Sequence, residues 1–153
     1  MKIIALAVAA VALISTPVLA DQWKVLGADG EKMMAVDLDT IDRSGANPYA
    51  WVSFAHAWSL EDDTDYTISY MGFDCERDLF RYVTIRAFRN GRVPNGTFDN
   101  YDWEPVLFGT WGEDLFRIVC GLDVPDGRNI RRTADQHQVP IEYIQAVQRG
   151  DFN

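Results

Sequence analysis

Two cysteines, Cys75 and Cys120, constrain this chain more than any other feature, because of what precedes them. Lys2 is followed by an unbroken apolar run over residues 3–14, a break at Ser15-Thr16-Pro17, and then Val18-Leu19-Ala20. A basic start, an apolar core and small residues before a cut form the secretory pattern. The expectation is a signal peptide over residues 1–20, cut between Ala20 and Asp21. The run falls short of the roughly 20 residues that a membrane-spanning helix needs. An even number of cysteines in an exported chain implies a disulfide, and two cysteines allow a single intramolecular pairing. Closing a loop of this size stabilises a fold by about 4 kcal/mol in the chain-entropy model. A metal pair or catalytic thiol is the rival reading. It finds no histidine or further cysteine at ligand spacing.

Removing the leader leaves 133 residues, enough for one domain with a single core. Only Lys2 is lost from the charge count, so the net charge of −9 becomes about −10. So acidic a surface repels phosphate backbones and anionic lipid, which argues against nucleic-acid and membrane-surface partners. It suits a cationic partner, or simply keeps an exported protein soluble. All 5 Trp, 6 Tyr and 8 Phe follow the leader. Most of them must be core, because aromatic side chains bury large areas.

Residues 23–27 and 32–37 read as a hairpin around Asp29-Gly30. Residues 49–58, 66–71 and 79–88 read as further strands. A polar corner over residues 39–45 and an acidic loop over residues 61–65 separate them. Pro94-Asn95-Gly96 and Asp99-Asn100 suggest an irregular stretch. Thr110 with Glu113 forms a capping box ahead of the apolar stripe Trp111, Leu115 and Val119, and Gly121 can stop that helix. The tail is polar, with a short helix opening at Pro140. The expectation is an α+β fold: an antiparallel sheet of about five or six strands with one packed α-helix. Its organisation is leader 1–20, domain 21–121 and C-terminal tail 122–153.

Catalytic constellations are not legible. His56 sits mid-strand and reads as structural rather than as a ligand; His137 in the polar tail reads as solvated. No histidine pair has zinc spacing, and no serine lies in a nucleophile elbow. Glu61, Asp62, Asp63 and Asp65 lack the spacing and glycine of a calcium loop and read as a solvated turn. Asn95-Gly96-Thr97 formally matches a glycosylation acceptor, but Asn-Gly is also turn chemistry, and it reads as a turn. Neither a cofactor nor a metal is expected. Phe80, Tyr82, Arg86 and Phe88 share one parity, an aromatic and arginine mixture that fits an interface or a second buried face.

Trp23, the segment Val36-Asp37-Leu38-Asp39-Thr40-Ile41-Asp42-Arg43-Ser44-Gly45, Trp51, Phe73-Asp74-Cys75, Asn90-Gly91, Trp103 and Cys120 occur in that order. This pattern resembles the surface-adhesin protein E family of exported bacterial proteins, over about residues 23–121. The resemblance implies an antiparallel sheet with a packed helix and a Cys75–Cys120 disulfide. It implies a non-enzymatic binding protein in the periplasm or at the cell surface of a Gram-negative bacterium. The family's named member binds host matrix proteins and haem and can form a homodimer. This chain has no lipid-acceptor cysteine after the apolar run and carries an extra tail after Gly121. A periplasmic inhibitor or scavenger of a cationic enzyme such as lysozyme is the alternative, motivated by the net charge.

Overall fold

A computed structural model describes residues 21–58, 63–89, 91–99, 101–123, 130–133 and 136–151. The expected leader with Ala20 lies outside these residues, as do Glu61 and Asp62.

Eight strands form one antiparallel sheet. β1 (Asp21–Ala28) and β2 (Lys32–Asp37) make the expected hairpin. Asp29 closes it, its Oδ1 accepting from the Glu31 and Lys32 amides at 2.8 and 2.9 Å. β3 (Tyr49–His56), β4 (Tyr66–Asp74) and β5 (Leu79–Arg89) continue the meander. β6 (Val93–Asp99) lies beyond β5, and the two-residue β7 (Glu104–Pro105) pairs with Leu79 and Phe80 further along it. After α1 (Trp111–Val119) come β8 (Ile130–Thr133) and α2 (Gln138–Gln148). The spatial order is β6-β5-β4-β3-β2-β1-β8, so the tail returns to pair with the first strand.

The fold is α+β, as expected, with a wider sheet. Residues 93–99 are an edge strand rather than an irregular stretch. An edge position tolerates Pro94, whose missing N–H faces away from the ladder. Gly96 sits where the register with β5 shifts between Ala87 and Phe88. β8 pairs through its backbone, and a segment reading Ile-Arg-Arg-Thr carries no apolar alternation to announce it.

Alternation along the strands sends side chains to two cores. Leu26, Val36, Val52, Met71 and Phe73 pack with Leu115, Phe116, Ile118 and Val119 of α1. Trp23, Met33, Ala35, Ala55, Tyr66 and Ile68 pack with Val139 and Tyr143 of α2. Each helix therefore covers one face.

α1 is fixed at both ends. Thr110 Oγ1 accepts from the Gly112 amide at 3.1 Å, while Glu113 Oε2 reaches back to the Gly109 amide at 2.8 Å. At the other end Gly121 adopts φ 72°, and the Leu122 amide donates to the Arg117 carbonyl at 2.8 Å. Arg43 adds a side-chain cap, donating to the carbonyls of Val119 and Ile118 at 2.8 and 2.7 Å. The Cys75–Cys120 disulfide then ties the β4–β5 turn to the same helix end.

Candidate binding surfaces

The four residues of common parity on β5 do not share a face. Tyr70 pairs with Thr84, but Met71 pairs with Tyr82, so Val83 is an extra residue on β5. This bulge inverts the alternation. Phe80 and Tyr82 turn toward α1, whereas Arg86 and Phe88 turn toward the α2 face. Phe88 is buried there, stacked on Tyr66 with ring centroids 5.0 Å apart. Of the four, only Arg86 is exposed.

Arg86 belongs instead to an aromatic cluster that borders the α2 core through Trp51. Tyr49 stacks on Tyr70 at 5.4 Å, and Trp51 lies 5.1 Å from the same ring. The Arg86 guanidinium sits 5.1 Å from the Trp51 centroid. Arg81 sits 4.7 Å from that of Trp103 and donates from Nη2 to the Tyr49 hydroxyl at 3.3 Å. Gly72 makes the stack feasible, since a Cβ there would lie 2.7 Å from the Tyr49 ring. Burial, then the charges of Asp42 and Tyr49, raises the Tyr70 pKa and keeps its phenol protonated. Among the described residues neither guanidinium has a carboxylate partner, and Arg81 Nε is a buried donor with none at all.

The α1 face carries a different feature, a cavity of about 570 Å³. Its floor comes from Met34, Phe54, Met71, Phe73, Phe80 and Tyr82, and its wall from Val106, Leu107, residues 109–112 and Leu115. Tyr82 packs edge-on against Phe80 at 5.8 Å. Its phenol pKa is raised by burial first, then by Glu104 and Tyr101. Lys32 stands at the border with its ammonium 5.7 Å from the Trp111 centroid. Leu107 and Phe108, two consecutive large apolar residues, are 68% and 62% exposed beside it.

The sequence pattern of surface-adhesin protein E matches residues 23–121. The chain belongs to this family. The matched span contains every residue of the Tyr49–Trp103 cluster, the cavity, the disulfide and α1. β8 and α2, the helix covering the second core, lie outside it. No curated protein and no solved structure matches the chain.

The family segment Asp37-x-x-Thr40-Ile41-x-Arg43 has a structural role. Asp37 Oδ1 accepts from the Asp39 amide at 3.1 Å, and Thr40 Oγ1 donates to the Asp37 carbonyl at 3.0 Å. The same hydroxyl accepts from the Trp51 amide at 3.2 Å, and Arg43 caps α1.

The remaining residues singled out by sequence fall apart from both surfaces or at their margins. His56 is half-buried at the end of β3 and borders the cavity. His137 is not simply solvated, because its Nδ1 lies 2.9 Å from the Tyr66 hydroxyl. Asp63 has φ 63° in the loop before β4, and the Asp65 amide donates to the Phe88 carbonyl at 2.8 Å. Asn95 donates to Thr64 Oγ1 at 3.0 Å. Sequence reasoning missed the cluster itself. Tyr49, Trp51, Tyr70, Arg81 and Trp103 come from separate segments, and only the strand register brings them together.

Proposed function

We propose that this member of the surface-adhesin protein E family is an exported, non-enzymatic binding protein that engages a protein partner through Tyr49, Trp51, Tyr70, Arg81, Arg86 and Trp103. Family membership supports the class of function, and the leader pattern supports export. One observation carries the choice of surface. Two guanidiniums stacked on aromatic rings lack carboxylate partners among the described residues, in a chain of net charge −9. Tyr, Trp and Arg are the residues that dominate binding energy at protein interfaces. Tyr49, Trp51 and Tyr70 are held on the adjacent strands β3 and β4 and are already ordered, so a partner meets a surface with little entropy left to lose. Arg86, exposed and stacked on Trp51, keeps its edge donors available for a carboxylate.

The test uses the oxidised protein without its leader, presented to a panel of purified extracellular-matrix proteins. Saturable binding to at least one is expected. Failure to bind any of them saturably, with the fold verified by circular dichroism, overturns the reading.

A further inference from the structure

The cavity under α1 lies on the opposite face from the proposed protein-binding surface and requires its own explanation. Its volume of about 570 Å³ falls within the range of sites that hold small molecules. Every methionine after residue 1, namely Met33, Met34 and Met71, borders it. Thioether side chains are unbranched and adaptable, so they suit a flexible apolar guest better than a rigid one.

The polar groups at the border are few and mostly engaged. Thr110 Oγ1 donates to the Leu107 carbonyl and accepts from the Gly112 amide. Lys32 differs. Its ammonium faces the Trp111 ring and makes no ion pair with any described residue. The nearby Asp29 carboxylate is held by the amides of Glu31 and Lys32 in the hairpin turn, and it feels the Lys32 charge without forming an ion pair with it. Beside Lys32, the start of α1 presents the positive end of its helix dipole, with Trp111 and Gly112 on the cavity wall. A local cation at the mouth of an apolar cavity matches a ligand with one anionic head and an apolar body. The acidic remainder of the surface acts weakly here, because charges beyond about 8 Å are screened at physiological salt.

We propose that this cavity binds a single-chain aliphatic carboxylate, with the chain over Met34, Met71 and Phe54 and the head at Lys32. A neutral amphiphile of the same length gains the chain contacts and forgoes the charge-assisted hydrogen bond.

Dodecanoate and dodecanol, titrated separately into the oxidised protein labelled with ¹³C at its methionine methyls, test this. Dodecanoate should bind saturably at one per chain and move the Met34 and Met71 methyl signals. Dodecanol should bind about tenfold more weakly, the loss of one such bond. Lys32→Gln should weaken dodecanoate binding by the same factor and leave dodecanol unchanged, while Lys32→Arg restores it. Lys32 is exposed at a strand end, so these variants leave the core intact. Saturable binding of both compounds with equal affinity, indifferent to Lys32→Gln, overturns the assignment of the head group. Absence of saturable binding by either, or methyl signals that stay fixed, overturns the site. Arg86→Ala on the other face should leave these titrations unchanged, which separates this inference from the protein-binding one.

Discussion

Arg43 and Val119, distant in sequence, are joined by a hydrogen bond of 2.8 Å from the Arg43 Nε to the Val119 carbonyl. A second bond, from Nη2 to Ile118, makes the guanidinium a fork over the exposed end of α1. Cys120 follows immediately and is bonded to Cys75. The last turn of α1 is therefore held by a cation, a Gly121 cap and a covalent link, all within four residues.

Removing the fork leaves two helix carbonyls without their charged donor. Arg43→Ala should destabilise the oxidised protein by about 2 kcal/mol, within the range for hydrogen bonds to charged groups. Arg43→Lys offers a point charge without the planar fork and should recover only part of this. Urea unfolding at neutral pH measures both.

Gly27 is where Trp111 lies down on β1. A Cβ at Gly27 would stand 2.0 Å from the Trp111 ring, an overlap that only movement of the ring can relieve. Gly27→Ala should cost about 2 kcal/mol, typical of overpacking, and shift the tryptophan emission. Gly30→Ala, where an added Cβ meets nothing within 4 Å, should stay within about 0.5 kcal/mol of the parent.

Tyr143 of α2 donates to the Asp29 carbonyl at 2.9 Å. Burial first, then the charges of Asp29 and Glu31, raises its pKa to about 12. The folded state thus keeps the phenolic proton to higher pH than the unfolded chain, whose tyrosine titrates near 10. The stability this contributes is complete below about pH 10 and is lost as pH rises toward 12. Tyr143→Phe should flatten that alkaline decline, although Tyr70 and Tyr82, whose pKa values are also raised, leave some of it. Thermal unfolding between pH 8 and pH 12 for parent and variant tests this.

The adhesin reading also predicts an address. Protease added to intact cells should cut this protein while a resident periplasmic control survives. Survival of both until the outer membrane is broken would place it in the periplasm and favour an inhibitor or scavenger role.

Local signals carried much of the fold. Asp29-Gly30 marks its hairpin, and Thr110 with Glu113 marks the start of α1, because turns and caps are written in adjacent residues. The Trp111, Leu115 and Val119 stripe does face the sheet, with Leu115 and Val119 buried and Trp111 half-buried. Long-range features were harder to read. Val83 becomes a bulge only through the register of β4 on β5, and that one residue separates Phe80 and Tyr82 from Arg86 and Phe88. β8 finds its place at the free edge of β1, which its own composition does not encode. The Asp37–Arg43 segment was recognisable as a family motif, yet its purpose needed the carbonyls of α1, which lie in a distant part of the chain.

In the proposed function, Arg81, Arg86 and the aromatic rings beneath them hold a protein partner. The most direct measurement compares parent, Arg86→Ala and Trp103→Ala proteins for binding to the matrix protein that the parent recognises, with Lys32→Gln as a control on the opposite face of the sheet. Arg86 is exposed, so its substitution should leave the unfolding midpoint in place while lowering affinity by about tenfold or more, the effect of an interface anchor. Trp103→Ala should lower affinity likewise, and Lys32→Gln should leave it unchanged. Unaltered affinity in both Arg86→Ala and Trp103→Ala would contradict the account and move the binding surface elsewhere on the molecule.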